Sequence, residues 1–189
     1  MPDVDALAEA WRRATRHPFL DAVREGTVAP AAFDTWLAQD ALFVADLLAF
    51  QARLVARAPR AAQAVLAGGV VALVDELAWF DALAAARGLA LTAERGTATA
   101  AYAEVLQRLD AAPYPVAVTA LWALERVYLL AWQHAAPAAQ PFAPYVEQWT
   151  APGFAGYVAA LGDLADAAGA PADALPEVLA LETAFWEQA

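Results

Sequence analysis

Residues 33–50 read FDTWLAQDALFVADLLAF, and this stretch decides the fold. Large apolar side chains recur every three or four residues along it, which predicts a helix with one apolar face. That face carries Trp36, Phe43, Leu47 and Phe50, with Asp40 among them. A carboxylate on a core-facing stripe is costly unless a partner donates hydrogen bonds to it. We therefore expect Asp40 to border a cavity that holds such a partner.

Helical periodicity continues on both sides of this stretch, and no segment shows sustained β alternation. Proline and glycine mark the ends of the segments. The predicted helices cover residues 3–14, 18–25, 30–57, 60–87, 93–110, 116–134, 154–168 and 172–187, with Thr92 as an N-cap and a short helix around Tyr145 and Trp149. Gly68-Gly69 predicts a kink or a short break inside the fourth helix. The sequence therefore predicts one all-α domain over residues 1–189, a single helical bundle.

The composition removes several kinds of chemistry. The chain has no Cys, Ser or Lys. This excludes a thiolate nucleophile or thiolate metal site, a serine triad, and a Schiff base. Acid–base chemistry by carboxylates is the option that the composition favours.

Charge and hydropathy bear on partners and location. The formal net charge of −11 disfavours nucleic acid, because affinity for phosphates comes from Lys and Arg. No uninterrupted apolar run reaches the length of a membrane span, and the N-terminus is acidic, unlike a signal peptide. We expect a cytoplasmic protein that binds neither nucleic acid nor a membrane.

Further polar side chains lie on apolar stripes of other predicted helices. They are Glu76, Glu125, Glu182, Tyr102 and Tyr128. An acid at the edge of such a stripe is often boundary-exposed or paired with an arginine, and a stripe tyrosine is often a core residue. Arg53, Arg87 and Arg126 are available as partners. The alternative is that bundle packing brings the acids and hydroxyls together in one pocket.

The two histidines could suggest a metal. A carboxylate-bridged metal site in a bundle needs Glu-x-x-His spacing, which neither His17 nor His134 has. A single histidine suffices as an axial haem ligand, so His17 is a candidate for that role. The simpler interpretation makes His17 a structural residue at a helix start. We expect no metal and no cofactor.

The order of these features resembles the TenA / thiaminase II family, which has the heme-oxygenase-like helical fold. The matching features run from one end of the chain to the other: His17-Pro18-Phe19-Leu20, Glu25-Gly26, Gln39-Asp40-x-x-Phe43, Glu76-Leu77, Tyr102, residues 121–128, Tyr145-x-x-x-Trp149 and Glu182-x-x-Phe185-Trp186. The resemblance implies a central pocket for an aminopyrimidine or a related thiamine-derived compound. It also implies a homo-oligomer.

The resemblance further implies roles for individual residues. Asp40 would bind the amino group and ring nitrogen of the pyrimidine, and Phe43 would be the aromatic residue of that pocket. Tyr102 and Tyr128 would supply hydroxyl groups. Glu182 would be the catalytic acid, and Glu76 is expected to assist it.

One departure from the family pattern limits the expected chemistry. Leu124 stands where well-known members carry a nucleophilic cysteine, four residues before Tyr128. The chain looks more like the cysteine-lacking members, in which carboxylates act. Three functions remain open: a pyrimidine hydrolase using carboxylates, a non-catalytic ligand-binding or regulatory protein, and an oxidative enzyme of the same fold.

Overall fold

The protein is an all-α bundle in the computed structural model, which describes residues 4–91, 94–170 and 173–188. Nine helices account for the regular structure of these residues: α1 Val4–Thr15, α2 Pro18–Glu25, α3 Pro30–Arg57, α4 Arg60–Arg87, α5 Thr97–Ala111, α6 Tyr114–Ala135, α7 Ala143–Trp149, α8 Pro152–Ala168 and α9 Leu175–Trp186. The predicted fold class is confirmed.

Local sequence signals set most helix limits. Pro18 and Pro30 occupy the first turns of α2 and α3, where proline has no intrahelical hydrogen bond to lose. Gly26 and Gly88 end α2 and α4 in the left-handed conformation, at φ 73° and 67°, which glycine adopts without steric cost. His17 caps α2, because its Nδ1 accepts a hydrogen bond from the Phe19 amide at 3.2 Å. The prediction of a structural histidine at this helix start is confirmed.

Two predicted features differ from the structure. The predicted cap Thr92 lies outside the described residues, and α5 begins later than expected, at Thr97 after Gly96. Of the two alternatives expected at Gly68-Gly69, the short break is wrong, since α4 continues through both residues, and the kink stays a prediction. A Cβ added at Gly69 would lie 2.2 Å from the nearest side-chain atom, so this glycine serves close packing.

Two long helices form the centre of the bundle. Helix α3 packs against α4 and α5, while α6 packs against α8, α1, α2 and α9. Their buried side chains join one continuous hydrophobic cluster. The centre of this cluster is aromatic. The ring centroid of Trp36 lies within 5.6 Å of the ring centroids of Trp132, Trp149 and Trp186. The apolar stripe of α3 therefore faces the core, as its spacing predicts.

Within the described ranges, two helices, α4 and α6, have the length and composition of a membrane span. In the most apolar 18-residue segment of α6, 67% of the residues are buried inside the protein, as in the core helix of a bundle. In the corresponding segment of α4 only 22% of the residues are buried, and the side chains of Val71 and Val74 are 60% and 51% exposed. Helix α4 thus presents an apolar outer face.

Candidate functional site

A cavity of about 130 Å³ lies inside the bundle, enclosed by side chains of six helices. Helix α3 contributes Phe43, Val44 and Leu47; α4 contributes Gly69, Ala72, Leu73 and Glu76; α6 contributes Leu124, Glu125 and Tyr128; α7, α8 and α9 contribute Gln148, Trp149, Phe154, Tyr157 and Glu182. Ala72 and Gln148 are exposed, so the cavity opens between α4 and α7. A concave, largely apolar space with a few polar groups is the usual form of a small-molecule site.

Asp40 lies directly behind this wall. It is fully buried, and its Oδ2 accepts a hydrogen bond of 2.9 Å from the Tyr128 hydroxyl, which belongs to the wall. Its Oδ1 is buried without a hydrogen-bond partner among the described residues. A cavity therefore lies near Asp40, but the expectation that Asp40 borders it is wrong, because Tyr128 stands between the two.

Glu182 and Tyr102 form a second hydrogen-bonded pair. The Tyr102 hydroxyl donates to Glu182 Oε2 at 2.6 Å, and Oε1 of this carboxyl is buried without a partner in the described structure. Glu182 belongs to the wall, whereas Tyr102 stands behind it against Phe43, with ring centroids 4.7 Å apart. A hydrogen bond to one oxygen fixes the carboxyl and leaves the other for a ligand or a water molecule.

Glu76 is the third carboxyl at the cavity. The indole of Trp149 donates to its Oε1 at 2.8 Å. The ring of Trp149 packs against those of Trp132 and Tyr128, at 4.4 and 6.0 Å between centroids. Helices α4 and α7 are thus joined at the cavity by a polar contact that also orients an aromatic face of the wall.

Glu125 is a fourth carboxyl, and our choice of site residues omitted it. Its side chain is 7% exposed and lines the cavity. Its position on the apolar stripe of α6 was the signal that could have selected it. Phe154 and Tyr157 of α8 also line the cavity and were omitted, because their sequence pattern is that of ordinary core aromatic residues. Leu124, the residue at the family's cysteine position, belongs to the wall as well.

Burial raises the pKa of all four carboxyl groups, and nearby carboxylates raise that of Asp40 and Glu125 further. Burial raises the pKa of Glu125 to about 8, and the charges of Glu76 and Glu182 raise it further in the same direction. Burial also raises the pKa of Glu182 to about 8, against the opposing effect of the Tyr102 hydrogen bond. The pKa values of Asp40 and Glu76 are raised by burial too. Glu125 and Glu182 are therefore mostly protonated in the empty site at neutral pH.

No arginine pairs with these four acids within the described residues. Arg53 pairs with Asp110, and Arg87 pairs with Asp34. The alternative of boundary acids neutralised by arginine therefore does not describe this cluster. Buried acids with raised pKa around a cavity make this cluster a candidate functional site.

Metal-binding geometry is missing from the part of the chain that the structure describes, where no group of three or more His, Asp or Glu side chains could hold an ion. His17 caps α2, and His134 Nε2 lies 2.9 Å from Asp21 at the surface of α2. Both histidines stand outside the cavity wall. The axial haem role considered for His17 has no support in this arrangement.

The fold and the site together define an all-helical protein with an acidic, aromatic-walled internal cavity. Residues 4–188 match the model of the TENA/THI-4/PQQC family, so the chain belongs to that family. A Glycine max protein described as a probable bifunctional TENA-E protein is 35% identical over 144 residues, which are 68% of this chain and 63% of that protein. The chain thus spans less than two thirds of this curated relative.

Solved structures agree with the family assignment. A TenA homologue from Pyrococcus furiosus superposes with a TM-score of 0.91 at 25% identity, covering 98% of this chain and 96% of that one. A TenA family transcription regulator from Silicibacter superposes with a TM-score of 0.86 at 21% identity, covering 96% of this chain and 92% of that one. The second likeness concerns the fold alone.

Proposed function

We propose that the chain binds an aminopyrimidine or a related thiamine-derived compound in the central cavity. The observation that carries the proposal is the pairing of Asp40 with Tyr128 at a wall that also presents Phe43 and Trp149. Carboxyl and hydroxyl groups match the amino group and ring nitrogens of such a heterocycle, and aromatic rings match its flat face. Family membership supports the same class of ligand.

We further propose that the bound compound is hydrolysed by carboxylates. Glu182 would take a proton from water, whose oxygen then bonds to the carbon that carries the amino group. The C–N bond breaks, the nitrogen takes up a proton, and ammonia leaves. Glu76, held by Trp149, would donate its own proton to the departing nitrogen, and proton exchange with solvent would then restore both carboxyls. A raised pKa suits both roles: burial raises the pKa of Glu182 to about 8 and that of Glu76 above its ordinary value.

A thiolate pathway is unavailable to this cavity. Leu124 occupies the wall at the family's cysteine position, and the sequence contains no cysteine. Water activated by a carboxylate is therefore the nucleophile that we assign to the reaction. The apolar Leu124 side chain would instead contribute to the packing around the ring.

The test is ammonia release from aminopyrimidines by the purified protein. We expect turnover by the wild type, a loss of about a hundredfold or more in Glu182→Gln, where a proton-transfer group is gone, and weaker binding in Asp40→Asn. Asp166, exposed on α8, provides the matched control Asp166→Asn, which should behave as the wild type. Equal turnover in all three variants would refute the catalytic assignment.

Leu124 also favours a second candidate, a protein that binds the compound without converting it. In that case aminopyrimidines raise the melting temperature according to ligand linkage, and the compound is recovered unchanged. Stabilisation without ammonia release decides for this candidate. If no aminopyrimidine stabilised the protein and none was turned over, the proposed ligand class itself would be wrong.

We propose in addition that the chain forms a homo-oligomer through the outer face of α4. Val71 and Val74 expose their side chains on this face, and most of the neighbouring residues are alanine or glycine. Small side chains let a helix of a second copy approach closely, and the contact would remove the apolar outer face of α4 from water.

A further inference from the structure

The cavity is acidic without any internal counter-charge. Three carboxyl groups line it, those of Glu76, Glu125 and Glu182, and a fourth, that of Asp40, lies behind its wall; no Arg, Lys or His among the described residues lines the cavity. Three of the four receive one hydrogen bond from inside the protein: Tyr128 donates to Asp40, Trp149 to Glu76, and Tyr102 to Glu182.

Glu125 is the exception in this set. It lines the cavity, and no hydrogen bond to its carboxyl occurs within the described residues. Its neighbours Glu76 and Glu182 act on it as like charges. A buried carboxylate without donors or a counter-charge is costly, so its ionised form needs a donor from outside the protein.

Other titratable groups around the cavity do not supply this partner. Helix α5 brings Tyr102 and α8 brings Tyr157, and α7 brings Gln148 and Trp149, which do not titrate. Burial raises the pKa of Tyr157 above its ordinary value, and the charge of Glu125 acts in the same direction. This tyrosine therefore stays neutral, and no surrounding group carries a positive charge.

We propose that the site binds its ligand as a cation in exchange for the proton of Glu125. Glu125 is a neutral acid in the empty cavity. When a ligand with an ammonium group enters, the carboxyl releases its proton to the solvent, and the carboxylate accepts an N–H hydrogen bond from the ammonium group. No other bond forms or breaks. This inference rests on the proposed ligand-binding function and specifies the charge of the ligand.

The exchange has a definite dependence on pH. At pH 7 a carboxyl with a pKa of about 8 is mostly protonated, and a cation at hydrogen-bond distance favours the ionised form. Binding then releases close to one proton, so affinity rises by about tenfold per pH unit below pH 8. A neutral ligand releases none and shows no such rise.

The experiment compares two aminopyrimidines that differ in one charge. The probes are 4-amino-2,5-dimethylpyrimidine and its 5-aminomethyl analogue, compared at pH 7.5, where the dimethylpyrimidine is mostly neutral and the aminomethyl arm is an ammonium. Stopped-flow mixing with phenol red in weak buffer measures proton release in the binding phase, before any turnover. Tryptophan fluorescence in the same samples gives Kd, because Trp149 lies in the wall.

We expect the ammonium probe to release about one proton per site from the wild type and from the exposed-surface control Asp166→Asn. The substitution Glu125→Gln, a neutral side chain of the same shape, should weaken its binding about tenfold or more and abolish most of the release. The dimethyl probe should bind the wild type and Glu125→Gln with the same affinity. Circular dichroism verifies that the variant is folded.

Three results would overturn the inference. The first is binding of the ammonium probe to the wild type without proton release, and the second is affinity that stays constant from pH 6 to pH 8. The third is an unchanged release in Glu125→Gln accompanied by a loss in Glu182→Gln, which moves the exchange to the other carboxyl. Binding of the dimethyl probe alone refutes the inference and leaves the proposed function standing. If neither probe binds, the inference and the proposed function are both refuted.

Discussion

Replacing Glu125 by glutamine should stabilise the protein at neutral pH. In the folded chain the pKa of this carboxyl is raised from 4.5 to about 8 by burial. Below pH 4.5 it is protonated in the folded and the unfolded state, so it does not alter the free energy of unfolding. Between pH 4.5 and pH 8 the unfolded chain ionises while the folded chain keeps its proton, and stability therefore falls as pH rises.

The magnitude follows from the span of pH. Each unit removes about 1.4 kcal/mol per group, so the loss from pH 4.5 to pH 7 is on the order of 3 kcal/mol as an upper limit. Glutamine does not titrate and fills the same space. We therefore expect Glu125→Gln to raise the free energy of unfolding at pH 7 by about 2–3 kcal/mol, which corresponds to roughly 5–10 °C in Tm for a chain of this size.

Urea unfolding at pH 5, 6, 7 and 8 provides the measurement, with Asp166→Asn as the control. The stabilisation by Glu125→Gln should be small at pH 5 and grow steadily to pH 8, whereas the control should differ little from the wild type throughout. A difference that is constant across pH, or a variant less stable than the wild type at pH 8, would show that Glu125 does not hold a proton in the folded state.

Three further predictions concern packing, catalysis and assembly. Gly69→Ala should lose about 1–3 kcal/mol of stability, because its Cβ would lie 2.2 Å from the nearest side-chain atom. Gly68→Ala meets open space and should gain about 0.5–1 kcal/mol; equal effects in urea unfolding would contradict the packing argument. If Glu182 is the general base, kcat/KM should rise with pH through about 8, the pKa of its carboxyl in the free protein, and a flat profile would exclude that role. The double substitution Val71→Asp and Val74→Asp should convert the oligomer to monomers in light scattering, and a wild type that is already monomeric would refute the proposed interface.

The sequence determined the helices and most of their ends. Pro30 and Gly88 act through their own backbone restrictions, which operate without tertiary contacts. The 3.6-residue spacing likewise determined that Trp36 and Asp40 share the buried face of α3. The limit of α5 and the continuity of α4 at Gly69 were beyond this reasoning, because packing against other helices overrides local preference there.

The candidate site was only partly readable. Periodicity identified acids and tyrosines on apolar faces, and four of the six chosen residues lie in the cavity wall: Phe43, Glu76, Tyr128 and Glu182. The roles assigned to them stay predictions. Asp40 and Tyr102 lie behind the wall, each hydrogen-bonded to a wall residue. The spacing along one helix does not specify how far a side chain lies from a cavity.

Only the tertiary structure decided which carboxyls share one space and which have donors. Glu125 looks like the other stripe acids in the sequence, yet it lines the cavity without an internal donor, while Glu182 receives the Tyr102 hydroxyl. A helix fixes the direction of its own side chains, but their partners belong to other helices distant in sequence. The sequence thus determines where an acid stands in the chain, whereas its surroundings in the folded bundle determine whether it is protonated.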